Sequence, residues 1–193
     1  MASIKLTGDT SGEITISAPA VAGTNTLTLP ANTGTIVTSA SGVGDLPSTI
    51  AGPAFSAYMG SDLTITSGVY TKVPLDTEDF DTTSDFDSTT NYRYTPSVAG
   101  YYQINATLRV IATSRTTTAI YVYKNGSVYK VLNVNRESSS SSGMVSGSTL
   151  IYMNGSSDYI ELYGVVNFSS AGRYDYVSSA DSCFFSGFLA RAV

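Results

Sequence analysis

The chain has 193 residues, of which 13% are charged, and a formal net charge of −5 at pH 7. That balance excludes the cationic surface that nonspecific nucleic-acid binding and docking on anionic membranes require, and no run approaches the ~18 apolar residues of a membrane-spanning helix. Histidine is absent, so a Ser-His-Asp nucleophile cannot be assembled.

Helix formers are scarce, and β-branched and aromatic residues dominate the apolar set, which predicts an all-β protein. Every Phe and Tyr lies at or after Phe55. That shift in composition divides the chain into a segment over 1–38, a Ser/Gly/Pro-rich linker over 39–53 and a domain over 54–193. The first segment opens on MASIKLTGDTSGE, which lacks the apolar core of a signal peptide. It then alternates in EITIS (13–17), NTLTLP (25–30) and GTIVTSA (34–40), the period of half-buried strands. With only Ile, Leu and Val to bury, it is too short to hold a core alone. It is either a flexible tail or a segment completed by identical copies, and the regular pattern favours the copies.

Strands with turn signals between them fill the rest. GVYTKVPL (68–75) alternates. After Gly100, Tyr102, Ile104, Ala106, Leu108 and Val110 share one face of a long strand, and Tyr101, Gln103, Asn105, Thr107 and Arg109 the other. Asn125-Gly126 sits between two alternating runs in TAIYVYKNGSVYKVLNV, the dipeptide of a tight hairpin turn. Asn154-Gly155 repeats the plan within 147–166. The Ser/Gly-rich stretch NRESSSSSGMVSG (135–147) reads as a loop, and DSCFFSGFLARA (181–192) as the last strand. Many short strands at this spacing predict a sandwich, barrel or jelly roll.

These residues carry a resemblance. Tyr94, five residues, then Gly100-Tyr101-Tyr102-Gln103-Ile104 resembles the signature of complement C1q-like globular heads, an aromatic followed by Gly-x-Tyr-x-Phe, with Ile104 in the place of the final Phe. YVYKNG (121–126) is similar to that family's central hairpin and FFSGFL (184–189) to its closing strand. The resemblance implies a ten-stranded jelly-roll sandwich of the C1q/tumour necrosis factor type that assembles as a homotrimer. It places Phe185 at the trimer axis, and the polar strand face of Gln103, Asn105 and Thr107 at the subunit interface. Residues 12–42 resemble a segment of bacteriophage tail fibres, which implies a β-rich trimeric stalk joined to other phage tail proteins, a place in the virion and assembly in the host cytoplasm.

Three places bear on chemistry. Asp76, Glu78, Asp79, Asp81, Asp85 and Asp87 crowd into PLDTEDFDTTSDFDSTTNY (74–92), where oxygen-rich loops suit calcium, although EF-hand spacing is missing. The plainer expectation is a solvated loop anchored by Phe80 and Phe86, and no cofactor is expected. Arg173 with Tyr174 and Tyr176, in NFSSAGRYDYVSSAD (167–181), is a mix suited to stacking and hydrogen bonding with sugar rings. The 135–147 stretch is a second contact candidate. Cys183, the one cysteine, is expected to be a small buried apolar residue. The expected function is a noncatalytic phage tail-fibre tip that binds a bacterial surface glycan or protein. A polysaccharide depolymerase and a structural head-fibre or decoration protein are the alternatives.

Overall fold

The computed structural model describes residues 3–7, 10–17, 52–177 and 182–193, and these hold strands and turns without a helix. Two compact units divide at Ser41/Gly42. In the first, β1 (Ser3–Thr7) and β2 (Glu13–Ser17) form an antiparallel hairpin with Ile4 opposite Ile16 and Leu6 opposite Ile14. The strand expected over 13–17 is β2. Those expected over 25–30 and 34–40, and most of the linker, lie outside the described residues.

The second unit is organised by one long hairpin. β9 (Ala99–Lys124) turns at Asn125-Gly126 into β10 (Ser127–Asn154), and the two pair from Lys124–Ser127 out to Ala99–Asn154. Both turn residues have positive φ, 52° and 76°, as the dipeptide predicts. The hairpin then folds over on itself at a crease. Ser114 and Ser139 take φ of 50° and 66°, and the pairing register slips between Arg136 and Ser142. Each half of the hairpin therefore seeds a layer. In the first, β6 (Thr77–Asp81), β3 (Ala54–Tyr58) and β13 (Phe184–Ala192) follow in order onto the first half of β9. In the second, β11 (Ile160–Asn167) pairs with the second half of β9 and carries β5 (Thr71–Lys72) and β8 (Arg93–Tyr94), which pairs with β7 (Phe86–Asp87). β12 (Gly172–Tyr174), with β4 (Leu63–Thr64), extends the first layer beyond β13 along β9.

The fold is the expected all-β jelly roll. Among the described residues its sheet contains eleven strand segments, because β9 and β10 each serve both layers while short pieces such as β5 and β7 stand apart.

Alternation on β9 builds the core. Tyr102, Ile104, Leu108 and Val110 are fully buried from the first half, and Ile120 and Val122 from the second. Around Phe55, Tyr94 stacks at 4.0 Å, Phe86 at 5.3 Å, and Phe185 meets it edge-on at 5.5 Å. Each such ring contributes roughly 2 kcal/mol by leaving water. Ile104, in the place of the signature's Phe, is fully buried and faces Gly187.

Two sequence expectations are corrected. Residues 135–147 are strand, paired with β9, and not a loop. Among the described residues β10 pairs with β9 alone, so its outward serines stay solvated and only residues such as Val145 turn inward. Asn154-Gly155 does not close a hairpin, because β10 and β11 end up in different layers. Its loop instead carries the chain across, with Asn154 Oδ1 accepting from the backbone N–H groups of Ser156, Ser157 and Asp158.

That crossing loop clasps the central turn. Asn125 Nδ2 donates to Asp158 Oδ1 at 2.8 Å, the Tyr159 N–H donates to Asn125 Oδ1 at 2.9 Å, and Lys124 Nζ pairs with Asp158 Oδ2 at 2.7 Å. Burial pushes the Asp158 carboxyl upward, but Asn125 and Lys124 outweigh it and hold it below the usual range.

Candidate functional site: the two outward sheet faces

On the first layer, the residues of β9 that alternate away from the core are Tyr101, Gln103, Asn105, Thr107 and Arg109. β10 sets Tyr152, Leu150, Ser148, Ser146 and Met144 opposite them, and β13 sets Phe188 opposite Gln103, Ser186 opposite Asn105 and Phe184 opposite Thr107. The middle of this face is polar: Thr107 and Ser146 share a hydroxyl hydrogen bond of 2.9 Å. Its flanks are apolar and open, with Leu150 and Phe188 each 49% exposed and Met144 51%. Tyr101 and Tyr152 pair across the strands with centroids 5.6 Å apart. Exposed apolar side chains gathered on one face mark an interaction surface.

Gln103, Asn105 and Thr107 thus lie on the face to which alternation assigns them, Gln103 and Asn105 partly exposed and Thr107 buried. Phe185 does not. It is fully buried and packs against Phe55, so it belongs to the protomer core and cannot reach an axis between subunits. The strand was read correctly but its phase was not: Phe184, Ser186 and Phe188 point outward while Phe185 and Gly187 point in.

The outward face of the second layer is covered by tyrosines. Tyr163 on β11 lies between Lys72 on β5 and Tyr121 on β9, and Glu161 lies opposite Tyr123. Tyr123 and Tyr163 stack with centroids 3.9 Å apart, and Tyr70 leans on Tyr121 at 5.0 Å with their hydroxyls 3.5 Å apart. Lys72 Nζ is paired with Glu161 and donates to the Asn91 carbonyl at 2.7 Å. The Arg93 guanidinium sits 4.3 Å over the Tyr159 ring. β10 flanks the face with Val128 and Val131, both about half exposed. Burial, then the Tyr70 hydroxyl, pushes Tyr121 up to about 12.

The third group of expected residues divides. Tyr174 is fully buried and its hydroxyl donates to the Thr71 carbonyl at 3.1 Å, so it is no receptor contact. β12 pairs with both β4 and β9, and its alternation turns Tyr174 inward. Arg173 points out and is held by Asp62 at 2.9 Å and Asp175 at 2.8 Å, while Tyr176 is half-buried beside them. Arg173 forms one wall of a cleft of ≈ 610 Å³ at the crease, whose hydroxyls come from Thr64, Thr113, Ser114, Ser141 and Ser170. Cys183 is buried nearby, against the Arg109 and Asp175 backbone, and burial pushes its thiol up to about 11.

In the acidic stretch the carboxylates hold turns. Asp87 accepts from the N–H groups of Thr89, Thr90 and Asn91, with the Thr90 bond first among the causes that drive its carboxyl far below the usual range. Asp85 accepts from Thr83 and Ser97, Asp81 from Thr83 and Phe86, and Asp76 from Gly60. Among the described residues no three acids converge on one point. Phe86 anchors the stretch in the core as expected. Phe80 does not, being 50% exposed on β6.

No protein-family model and no curated protein sequence matches the chain. Solved structures do. In a crystal structure of murine APRIL at pH 8.0 the TM-score is 0.52 at 8% identity, over 71% of this chain and 98% of that one. In another at pH 8.5 it is 0.50 at 10% identity, over 71% and 98%. At such identity the likeness is one of fold, and the chain is an all-β jelly roll of the tumour necrosis factor type.

Proposed function

We propose that the chain is a noncatalytic, homotrimeric adhesion module: the tip of a bacteriophage tail fibre, which attaches the virion to a bacterial surface receptor. The observation that carries this reading is the outward face of the first layer. Leu150, Phe188, Met144 and the Tyr101–Tyr152 pair are exposed around a polar centre of Gln103, Asn105 and Thr107. A surface of that composition is covered by another protein surface. A second copy in a closed cyclic assembly is the simplest cover, since one patch then serves every subunit.

The sequence of residues 12–42 supports the fibre. The hairpin of β1 and β2, residues 3–17, which overlaps its start, pairs Ile and Leu positions in a segment too small to hold a core alone, which suits a shaft completed by neighbouring copies. Three heads on one shaft present three copies of a site, and simultaneous engagement raises apparent affinity by roughly 100-fold or more.

The test is deletion of residues 54–193 from the fibre gene of the phage. Adsorption to host cells is expected to collapse. Unchanged adsorption would make the chain a decoration protein, and sustained release of new reducing ends from host polysaccharide by the purified chain would make it a depolymerase.

A further inference from the structure

We propose that the tyrosine-covered face of the second layer is the receptor site, a platform for an uncharged saccharide. This rests on the reading of the chain as an adhesion module and names the chemistry of its ligand.

Tyr121, Tyr123 and Tyr163 come from neighbouring strands, and Tyr70 closes the row. The sheet presents three rings and the segment before β5 the fourth, and their χ freedom is already spent on packing one another, so little ordering cost remains on binding. A pyranose has one face of C–H groups, which settles on an aromatic ring, and an equator of hydroxyls, which needs donors and acceptors beside it. Tyrosine supplies both, since each phenol donates and accepts. At the rim, Lys72 is partly open at 26% side-chain exposure, and its buried partner Glu161 holds it in place.

Charge complementarity sets the class of sugar. Lys72 and Glu161 neutralise one another and Lys124 and Asp158 do the same beyond the turn, while the Arg93 guanidinium, stacked on the Tyr159 ring, keeps its charge outside the tyrosine row. The charges that border the Tyr121, Tyr123 and Tyr163 row are thus paired, which suits a neutral glycan and offers sialic or uronic acids no unpaired cation within the row. Apart from Val128 and Val131, which flank the tyrosines on β10, the exposed apolar surface that a protein partner covers lies on the other layer, at Leu150, Met144 and Phe188. The crease cleft is the rival position within this unit, but it has hydroxyls and no aromatic ring.

The test uses the full chain on an array of neutral and acidic bacterial oligosaccharides, with Tyr163→Ala and Tyr121→Ala beside the ring-preserving Tyr121→Phe, each checked for an unchanged circular dichroism spectrum. Binding is expected on neutral glycans, at least 10-fold weaker in both alanine variants and less affected in Tyr121→Phe, which also keeps the test open if an alanine variant fails to fold. Binding confined to acidic glycans overturns the proposal, as does wild-type binding by the alanine variants, with Arg173→Ala then locating the site at the cleft. On whole host cells, attachment that survives periodate and is lost to protease overturns the saccharide while leaving adhesion intact. A head whose deletion leaves adsorption unchanged removes the adhesion reading itself.

Discussion

Arg115 Nη2 donates to Glu137 Oε2 across 2.7 Å from a guanidinium that is itself fully buried. The two residues come from the two arms of the long hairpin, at the crease where it folds over. Arg115 also donates to Thr118 Oγ1 at 2.8 Å and to the Ser142 carbonyl at 2.9 Å, and so ties both arms where their pairing register slips. A single charged side chain holds together the place where one sheet becomes two layers.

Removing that side chain leaves a cavity and takes a donor from three polar partners, Glu137, Thr118 and Ser142. Arg115→Ala is expected to destabilise the unit by about 3 kcal/mol. Gly143→Ala attacks the same point from the other side, since a Cβ there would overlap the guanidinium. Overpacking of that kind costs about 1–3 kcal/mol. Urea unfolding of both variants checks the pair, and a wild-type midpoint for Arg115→Ala would remove the crease tie.

The same contact predicts an acid-labile crease. The Ser140 hydroxyl, followed by Arg115, holds Glu137 below its ordinary value of 4.5. A carboxyl depressed in the folded state stabilises above its unfolded value, and that contribution is lost as pH falls through the folded one. Thermal melts below about pH 4.5 should therefore show a steeper loss in the wild type than in Glu137→Gln. Parallel curves for the two proteins would contradict this.

Asn125 works twice, by adopting positive φ and by bonding to Asp158 and Tyr159 across the crossing loop. Asn125→Ala strains the turn and strands two partners, for a loss of about 2 kcal/mol. Hydrogen exchange should report it as faster opening at Tyr159 before any other change.

Phe185 and Phe188 stand three residues apart on β13 and should behave oppositely. Phe185→Ala empties the core beside Phe55 and costs about 3–5 kcal/mol in a chemical melt. Phe188→Glu touches only the outward face and should leave the melt of the dissociated chain within about 0.5 kcal/mol of wild type.

Much of the fold was legible because alternation and turn chemistry are local. The buried row from Tyr102 to Val110, the turn at Asn125-Gly126 and the last strand could be read from neighbours in sequence. Phe185 was misplaced because a run of Phe-Phe-x-x-Phe alternates in either phase, and only pairing with β3 and β9 settles which phase is inside. The 135–147 strand was hidden because an edge strand with a solvated face has no apolar period to detect. Arg115 and Glu137 gave no signal at all, since their meeting depends on a crease formed by residues far apart in the chain. The tyrosine face left a trace in YVY and in ELY, where aromatics alternate with aliphatics, but the period does not say which set faces out.

The self-association face is tested most directly by light scattering on the full chain and on the double variant Leu150→Glu/Phe188→Glu. The wild type is expected at about three times the 20.2 kDa chain mass and the variant at one chain, with the same circular dichroism spectrum. A wild type of 20.2 kDa, or a variant that keeps the wild-type mass, would contradict the assignment of that face.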